Sequence, residues 1–239
     1  MSNFTILQQQ IAVTLLPQIG RRRMRTILSH TETIENFFRE KKKNLIRIPG
    51  IGENLISKLN REQALEKAIP FTEELIMADC QSWFFQDKHF PRKLNECVDA
   101  PLLLFSKGNM NLNTPKIVSI VGTRNATTYG KRLCTELIES MRGKNILVVS
   151  GLAYGIDIYV HQLCVKNHIQ TIGVLGHGLD RIYPSQHQKT AKQMLNNGGL
   201  LTEFLPGTNP DRENFPMRNR IVAGLSDATI VVESGVKGG

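Results

Sequence analysis

From residue 115 onward, short unbroken apolar runs alternate with helix-length amphipathic segments, and this alternation leaves few folds open. The runs are KIVSIVG (116–122), NILVVSG (145–151), QTIGVLG (170–176), GLLTEFL (199–205) and ATIVVES (228–234). Helical patterns lie between them, over about 128–142, 154–167 and 185–197, with a last helix starting near Pro216. A strand that is apolar at every position is buried on both faces, and strands linked by helices run parallel. The pattern predicts an α/β domain of the Rossmann-like, doubly wound type with a mainly parallel sheet.

In such a sheet ligands bind at the carboxyl ends of the strands, so the loops that follow the runs are where function is sought. They read VGTRNATTYG, SGLAYGIDIYVH, LGHGLDRIYP and LPGTNPDRENFPMRNR. Gly122, Gly151, Gly155, Gly176 and Gly178 admit close approach of a backbone, and the helix starts behind them offer N–H donors to phosphate. Arg124 lies in the first loop, and Arg212, Arg218 and Arg220 lie in the fourth. The last two are unusual, because a helix start is already electropositive and ordinarily carries Asp or Glu. Either an anion sits there, or Asp211, Glu213, Glu203 or Glu233 pairs with the arginines. The recurrence of Gly with Arg in several loops favours the anion.

Pro216 suits a first helical position, with Met217, Ile221 and Leu225 falling on one face. The dinucleotide fingerprint GxGxxG and the phosphate-loop pattern GxxxxGK[ST] are absent, so NAD and ATP are poor candidates. Asp157 and His161 are four apart on one helix, His177 lies in the third loop, and Glu203 and Glu233 end strands. No nucleophile with an adjacent base emerges from them, and a structural role is the commoner fate of such residues. Tyr129, Tyr154, Phe204 and Phe215 are candidates to stack bases beside the arginines, Phe215 first because it sits between Arg212 and Arg218.

Residues 1–70 show helical periodicity without strand alternation and are read as a small helical domain. Within it LPQIG (16–20) and IPGIG (48–52) each precede a helix. Gly50, Gly52 and Asn54 form a helix-hairpin-helix turn, a possible secondary contact to a nucleic-acid backbone or a plain helix–helix turn. Residues 71–114, with the single Trp, are read as an ordered connector carrying a short strand at PLLLFSKG; residues 115–239 form the Rossmann-like domain.

The net charge of +9 favours a polyanionic partner. The excess lies in two places: residues 1–70 carry 12 Lys/Arg against 6 Asp/Glu, residues 115–239 carry 14 against 9, and the connector carries 4 against 6. Four cysteines without CxxC spacing are read as reduced core residues, and no metal spacing is visible. No apolar stretch of membrane-spanning length and no leader pattern is seen, so a soluble cytoplasmic protein without membrane contact is expected. No cofactor, no metal and no catalytic activity are expected.

The motifs VGTR, SGLAYGID with its following His161, GHGLDRIYP, LLTEF and NFPMRNRIVAGLS, in this order over residues 115–239, resemble the DNA processing protein A family. The IPGIG-bearing helical region resembles that family's sterile-alpha-motif-like N-terminal part. The resemblance implies a protein that binds single-stranded DNA in a basic pocket of the Rossmann-like domain, forms a homodimer, protects incoming DNA and helps load the RecA recombinase in natural transformation. By motif, Arg124 of GTR corresponds to the family's phosphate-binding arginine, and Gly122, Thr123, Gly151 and Gly155 are expected at the DNA with it. Arg212 occupies a place for a basic residue, Phe215 that of a base-contacting aromatic, and Arg218 and Arg220 match the RNR motif, with Asn219 bracing the loop. The chain stops at GVKGG directly after a strand, so a further helix and strand, and the winged-helix-like domain many members carry, are expected to be missing. Dimerisation and RecA contact are therefore expectations for the full-length protein. The alternative is an enzyme, a nucleotide phosphoribohydrolase of the lysine-decarboxylase-like family. Its PGGxGT loop with a catalytic Glu is not matched in order by VVESGVKGG.

Overall fold

The computed structural model describes residues 4–235. The closing Val236–Gly239, on which the reading of the GVKGG tract bears, and Met1–Asn3 lie outside the described residues. The chain forms two compact units, one of the residues up to Phe85 with Pro101–Leu103, and one of Gln86–Ala100 with everything from Leu104.

The first unit contains α1 (Ile6–Leu15), α2 (Arg21–Thr31), α3 (Ile34–Arg39), α4 (Lys42–Leu45), α5 (Glu53–Lys58), α6 (Arg61–Met77) and a short strand β1 (Gln81–Phe84). Its helix starts obey local chemistry. Thr5 and Gln8 make a reciprocal capping box on α1, while Thr33 and Asn60 accept the orphan N–H groups of Asn36 and Gln63. Ile11, Met24, Ile27, Phe37, Leu45 and Ile56 are fully buried between the helices. Arg61, at the start of α6, donates to the carbonyls of Phe37 and Glu40 and lies over the Phe37 ring, tying α6 to the end of α3. Because α6 continues through Pro70 to Met77, a boundary at residue 70 would cut a helix. The strand β1 has no counterpart in the sequence reading.

The second unit contains α7 (Arg92–Asn95), β2 (Leu103–Asn109), β3 (Ile117–Val121), α8 (Thr128–Ser140), β4 (Leu147–Ser150), α9 (Ile156–Lys166), β5 (Thr171–Val174), α10 (Gln188–Met194), β6 (Gly198–Thr202), α11 (Asn214–Leu225) and β7 (Ala228–Val231). Its strands lie in the order β2-β6-β5-β4-β3-β7. All neighbours are parallel except β2, which runs antiparallel to β6 with Phe105 opposite Thr202. Every residue of β4, β5 and β6 is buried, as apolar runs without alternation require. One core cluster joins Ile120 and Val148 to Cys134 and Ile138 of α8 and Ile156, Val160 and Cys164 of α9. A second joins Leu152, Leu175 and Leu200 to Ala191 and Met194 of α10. This is the doubly wound α/β fold that the sequence predicts.

Two details of α11 depart from the sequence reading. The helix begins at Asn214, so Pro216 is its third residue; this costs no hydrogen bond, because the first N–H groups of a helix have no intrahelical acceptor. Its buried stripe is Asn214, Arg218, Ile221, Val222 and Leu225, while Met217 is 46% exposed. The core-facing line is turned by one residue because a buried arginine takes the place expected for the methionine. Of the cysteines, Cys134 and Cys164 are fully buried and burial pushes their thiols up to about 11 and about 12; Cys80 and Cys97 are half-buried.

Candidate nucleic-acid interface

The loops after β3, β4 and β5 and the start of α11 meet in a cleft of about 50 Å³ lined by Arg124, Gly151, Tyr154, Gly176, Tyr183, Phe215 and Arg218, among others. Its shape rests on three glycines. Gly155 has φ +78°, and a side chain there would collide with the carbonyl of Thr123 and the backbone of Arg124. A side chain at Gly151 would strike the Arg218 guanidinium, and one at Gly176 would press on the Phe215 ring, 3.1 Å from its Cδ1.

Beneath the cleft lies a buried polar layer. Arg218 is 4% exposed and donates to the carbonyls of Gly151 and Val174 and, from Nε, to Asn219 Oδ1 at 3.1 Å. Asp157 is equally buried and accepts the Gly151 N–H at 3.1 Å. Burial raises its carboxyl above the ordinary range, against the pull of Arg218 and of that N–H. His161 is fully buried; its Nδ1 lies 2.8 Å from Thr171 Oγ1, whose own hydroxyl donates to the Val148 carbonyl. The proton is thereby assigned to Nδ1, with Nε2 an acceptor that has no partner among the described residues. Burial, then the nearby Arg218 and His187, lower His161 to about 3. These groups have the burial of structural residues, and none reaches the surface of the cleft as a base.

The four arginines expected at the site part company. Arg218 is held from below by carbonyls. Arg220 forms an ion pair with Glu203 and donates to the Asp99 carbonyl, so here the internal-pair reading applies. Arg212 is exposed on the loop before α11 and is not among the cleft residues. Arg124 is exposed, has no carboxylate in ion-pair range among the described residues, and stands 5.7 Å over the Phe215 ring.

The turn before Arg124 is braced from within. The Thr123 N–H donates to the Glu233 carbonyl at 2.7 Å, its carbonyl accepts the Ile156 N–H at 3.1 Å, and Gly122 is packed beneath Ile156. Both backbone groups of Gly151 are likewise answered, by Asp157 and Arg218, so Gly151 contributes room rather than donors. Glu233 takes the Thr127 N–H and hydroxyl at the start of α8. The crevice between β3 and β7, where strand order reverses and a dinucleotide fold would seat phosphate, therefore already holds a carboxylate. Gly50, Gly52 and Asn54 are exposed on the hairpin of the helical unit, with Gly50 at φ +76°.

Tyr183 escaped the sequence reading. It is 47% exposed, with its ring centroid 6.1 Å from that of Phe215. Only its place in the IYP tract after a Gly-rich loop hinted at it. Among the described residues no helix is long and apolar enough to cross a membrane, and no group of three or more His, Cys, Asp or Glu could hold a metal.

Strand-end loops that bring an exposed arginine, close-packed glycines and aromatic rings to one cleft mark the chain as an open-sheet α/β protein with its candidate site at the carboxyl ends of the strands. The chain belongs to the DNA recombination-mediator protein A family, whose model matches residues 81–239. Among its relatives are Protein Smf of Synechocystis, 34% identical over 92% of this chain and 56% of that protein, and DNA processing protein DprA of Bacillus subtilis, 42% identical over 64% and 52%. The chain thus spans about half the length of these relatives. The crystal structure of DNA processing protein A from Streptococcus pneumoniae superposes with a TM-score of 0.75 at 27% identity, covering all of this chain and 80% of that one. The Helicobacter pylori protein, whose structure addresses its single-stranded DNA binding mode, matches with a TM-score of 0.60 at 29% identity over 66% and 71%.

Proposed function

We propose that this chain binds single-stranded DNA at the cleft, with Arg124 on a phosphate and Phe215 on a base, as a non-catalytic mediator that protects incoming DNA. In the full-length protein this serves RecA loading during transformation and recombination, from a cytoplasmic homodimer. The observation that carries the reading is the contrast between arginines. Arg218 and Arg220 are answered by groups of the protein itself, while Arg124 is exposed and set over an aromatic ring, the pairing of charge and stacking surface that single strands use. The names of the relatives and the Helicobacter pylori structure support it.

Gly122, Thr123, Gly151 and Gly155 act in this reading by shaping the turn that presents Arg124. Arg212 lies outside the cleft and serves the flanking backbone electrostatically, and Gly50, Gly52 and Asn54 are kept as a secondary backbone contact. Fluorescence anisotropy with a labelled oligonucleotide, single-stranded and then annealed to its complement, tests the proposal. Clear preference for the single strand is expected. Equal affinity for both forms, or release of free base from nucleoside monophosphates at an enzymatic rate, would overturn it.

A further inference from the structure

Phe215 does not face the cleft alone. The Tyr183 ring lies across from it with a centroid separation of 6.1 Å and an interplanar angle of 31°. Nucleic-acid bases stack with a rise of about 3.4 Å, so one base held between two rings needs about 6.8 Å between them. The centroid separation is therefore within about an ångström of that span, and the 31° tilt keeps the two rings from lying flat on each other.

The spacing is held by the scaffold. Phe215 lies against Gly176, where an added side chain would come within 3.1 Å of its Cδ1. The loop carrying Tyr183 is braced to the loop that leads into α11: Arg181 donates to Asn209 Oδ1 at 2.7 Å, and Asp180 accepts the Gly207 N–H at 3.1 Å. These two bonds tie the loop of Tyr183 to the segment that leads to Phe215. Tyr183 is about half exposed, so burial does not explain the placement of this ring.

We propose that Tyr183 and Phe215 form a clamp for a single unstacked base, with Arg124 beside it for the adjoining phosphate. This rests on the reading of the cleft as a single-strand site and adds to it the second wall. A duplex cannot offer a base face to such a slot without being opened, so the clamp accounts for discrimination between single and double strands. Every base has a π-face, so it does so with little regard to sequence.

The test uses the full chain, a labelled 20-nucleotide oligothymidylate, and a strand of equal length made of abasic residues. Tyr183→Leu is expected to weaken oligothymidylate binding about tenfold, in the range of losing one base–aromatic stack. Tyr183→Phe, which keeps the ring, should stay within about twofold of wild type and so shows that any loss is not one of folding. On the abasic strand Tyr183→Leu and wild type should bind alike, whereas Arg124→Ala weakens both strands. Because both rings hold one base, Phe215→Leu combined with Tyr183→Leu should lose clearly less than the product of the two single losses. If wild type binds and Arg124→Ala weakens it while Tyr183→Leu does not, the clamp is wrong and the cleft reading stands. A Tyr183→Leu loss of equal size on the abasic strand would also refute the clamp. If wild type binds neither strand, the cleft reading fails and takes the clamp with it.

Discussion

At the scale of single residues, what decides the role of a charged group here is whether the protein already answers it. Arg218 is a cation with two backbone carbonyls and a neighbouring buried aspartate, so its charge serves the joint between β4, β5 and α11. Arg124 carries the same guanidinium, exposed and with no ion-pair partner among the described residues. His161 shows the same logic for a titrating group. Its folded value of about 3 is below the ordinary 6.5, so the neutral ring contributes stability that is complete above about pH 6.5 and is lost as pH falls toward 3. The loss is about 1.4 kcal/mol per pH unit within that window. Urea unfolding of wild type and His161→Gln at pH 7 and pH 5 should show the wild-type advantage shrinking on acidification; an advantage that does not change with pH would mean that His161 does not titrate as its burial dictates.

At the scale of elements, the strands were legible because an apolar run of five to seven residues bounded by glycine has few alternatives, and KIVSIVG, NILVVSG and QTIGVLG each contain the strand expected. The meeting of the loops was legible for the same reason, since the topology gathers them at one sheet edge. The facing of α11 was not, because helical periodicity assigns buried positions by hydropathy and cannot foresee that Arg218 finds carbonyls in the core. Nor was Tyr183, whose partnership with Phe215 joins a loop to the first turn of α11, far apart in sequence. The joint between the β3 and β4 loops gives a sharp prediction. Gly155→Ala places a side chain in a left-handed conformation and against the Thr123 carbonyl, and it should destabilise the fold by about 2 kcal/mol. Because the same contact seats Arg124, single-strand affinity should fall even where the variant is fully folded. A thermal melt and a binding titration check both halves, and unchanged values in each would show that the turn is free to relax.

At the scale of the whole molecule, a net charge of +9 attracts any polyanion, so charge by itself says little about which phosphates are held. What distinguishes a built site from a diffuse cloud is that one contact can be removed. Each phosphate neutralised on a single strand contributes about −0.7 to the slope of log affinity against log salt concentration. The most direct measurement is that slope for a labelled single strand, with wild type and with Arg124→Ala. The cleft account predicts that the variant loses about 1.5 to 3 kcal/mol of binding, as for a charged hydrogen bond, and that its slope is shallower by about 0.7. Equal affinities and superimposable slopes would contradict it, leaving Arg124 as one surface charge among many.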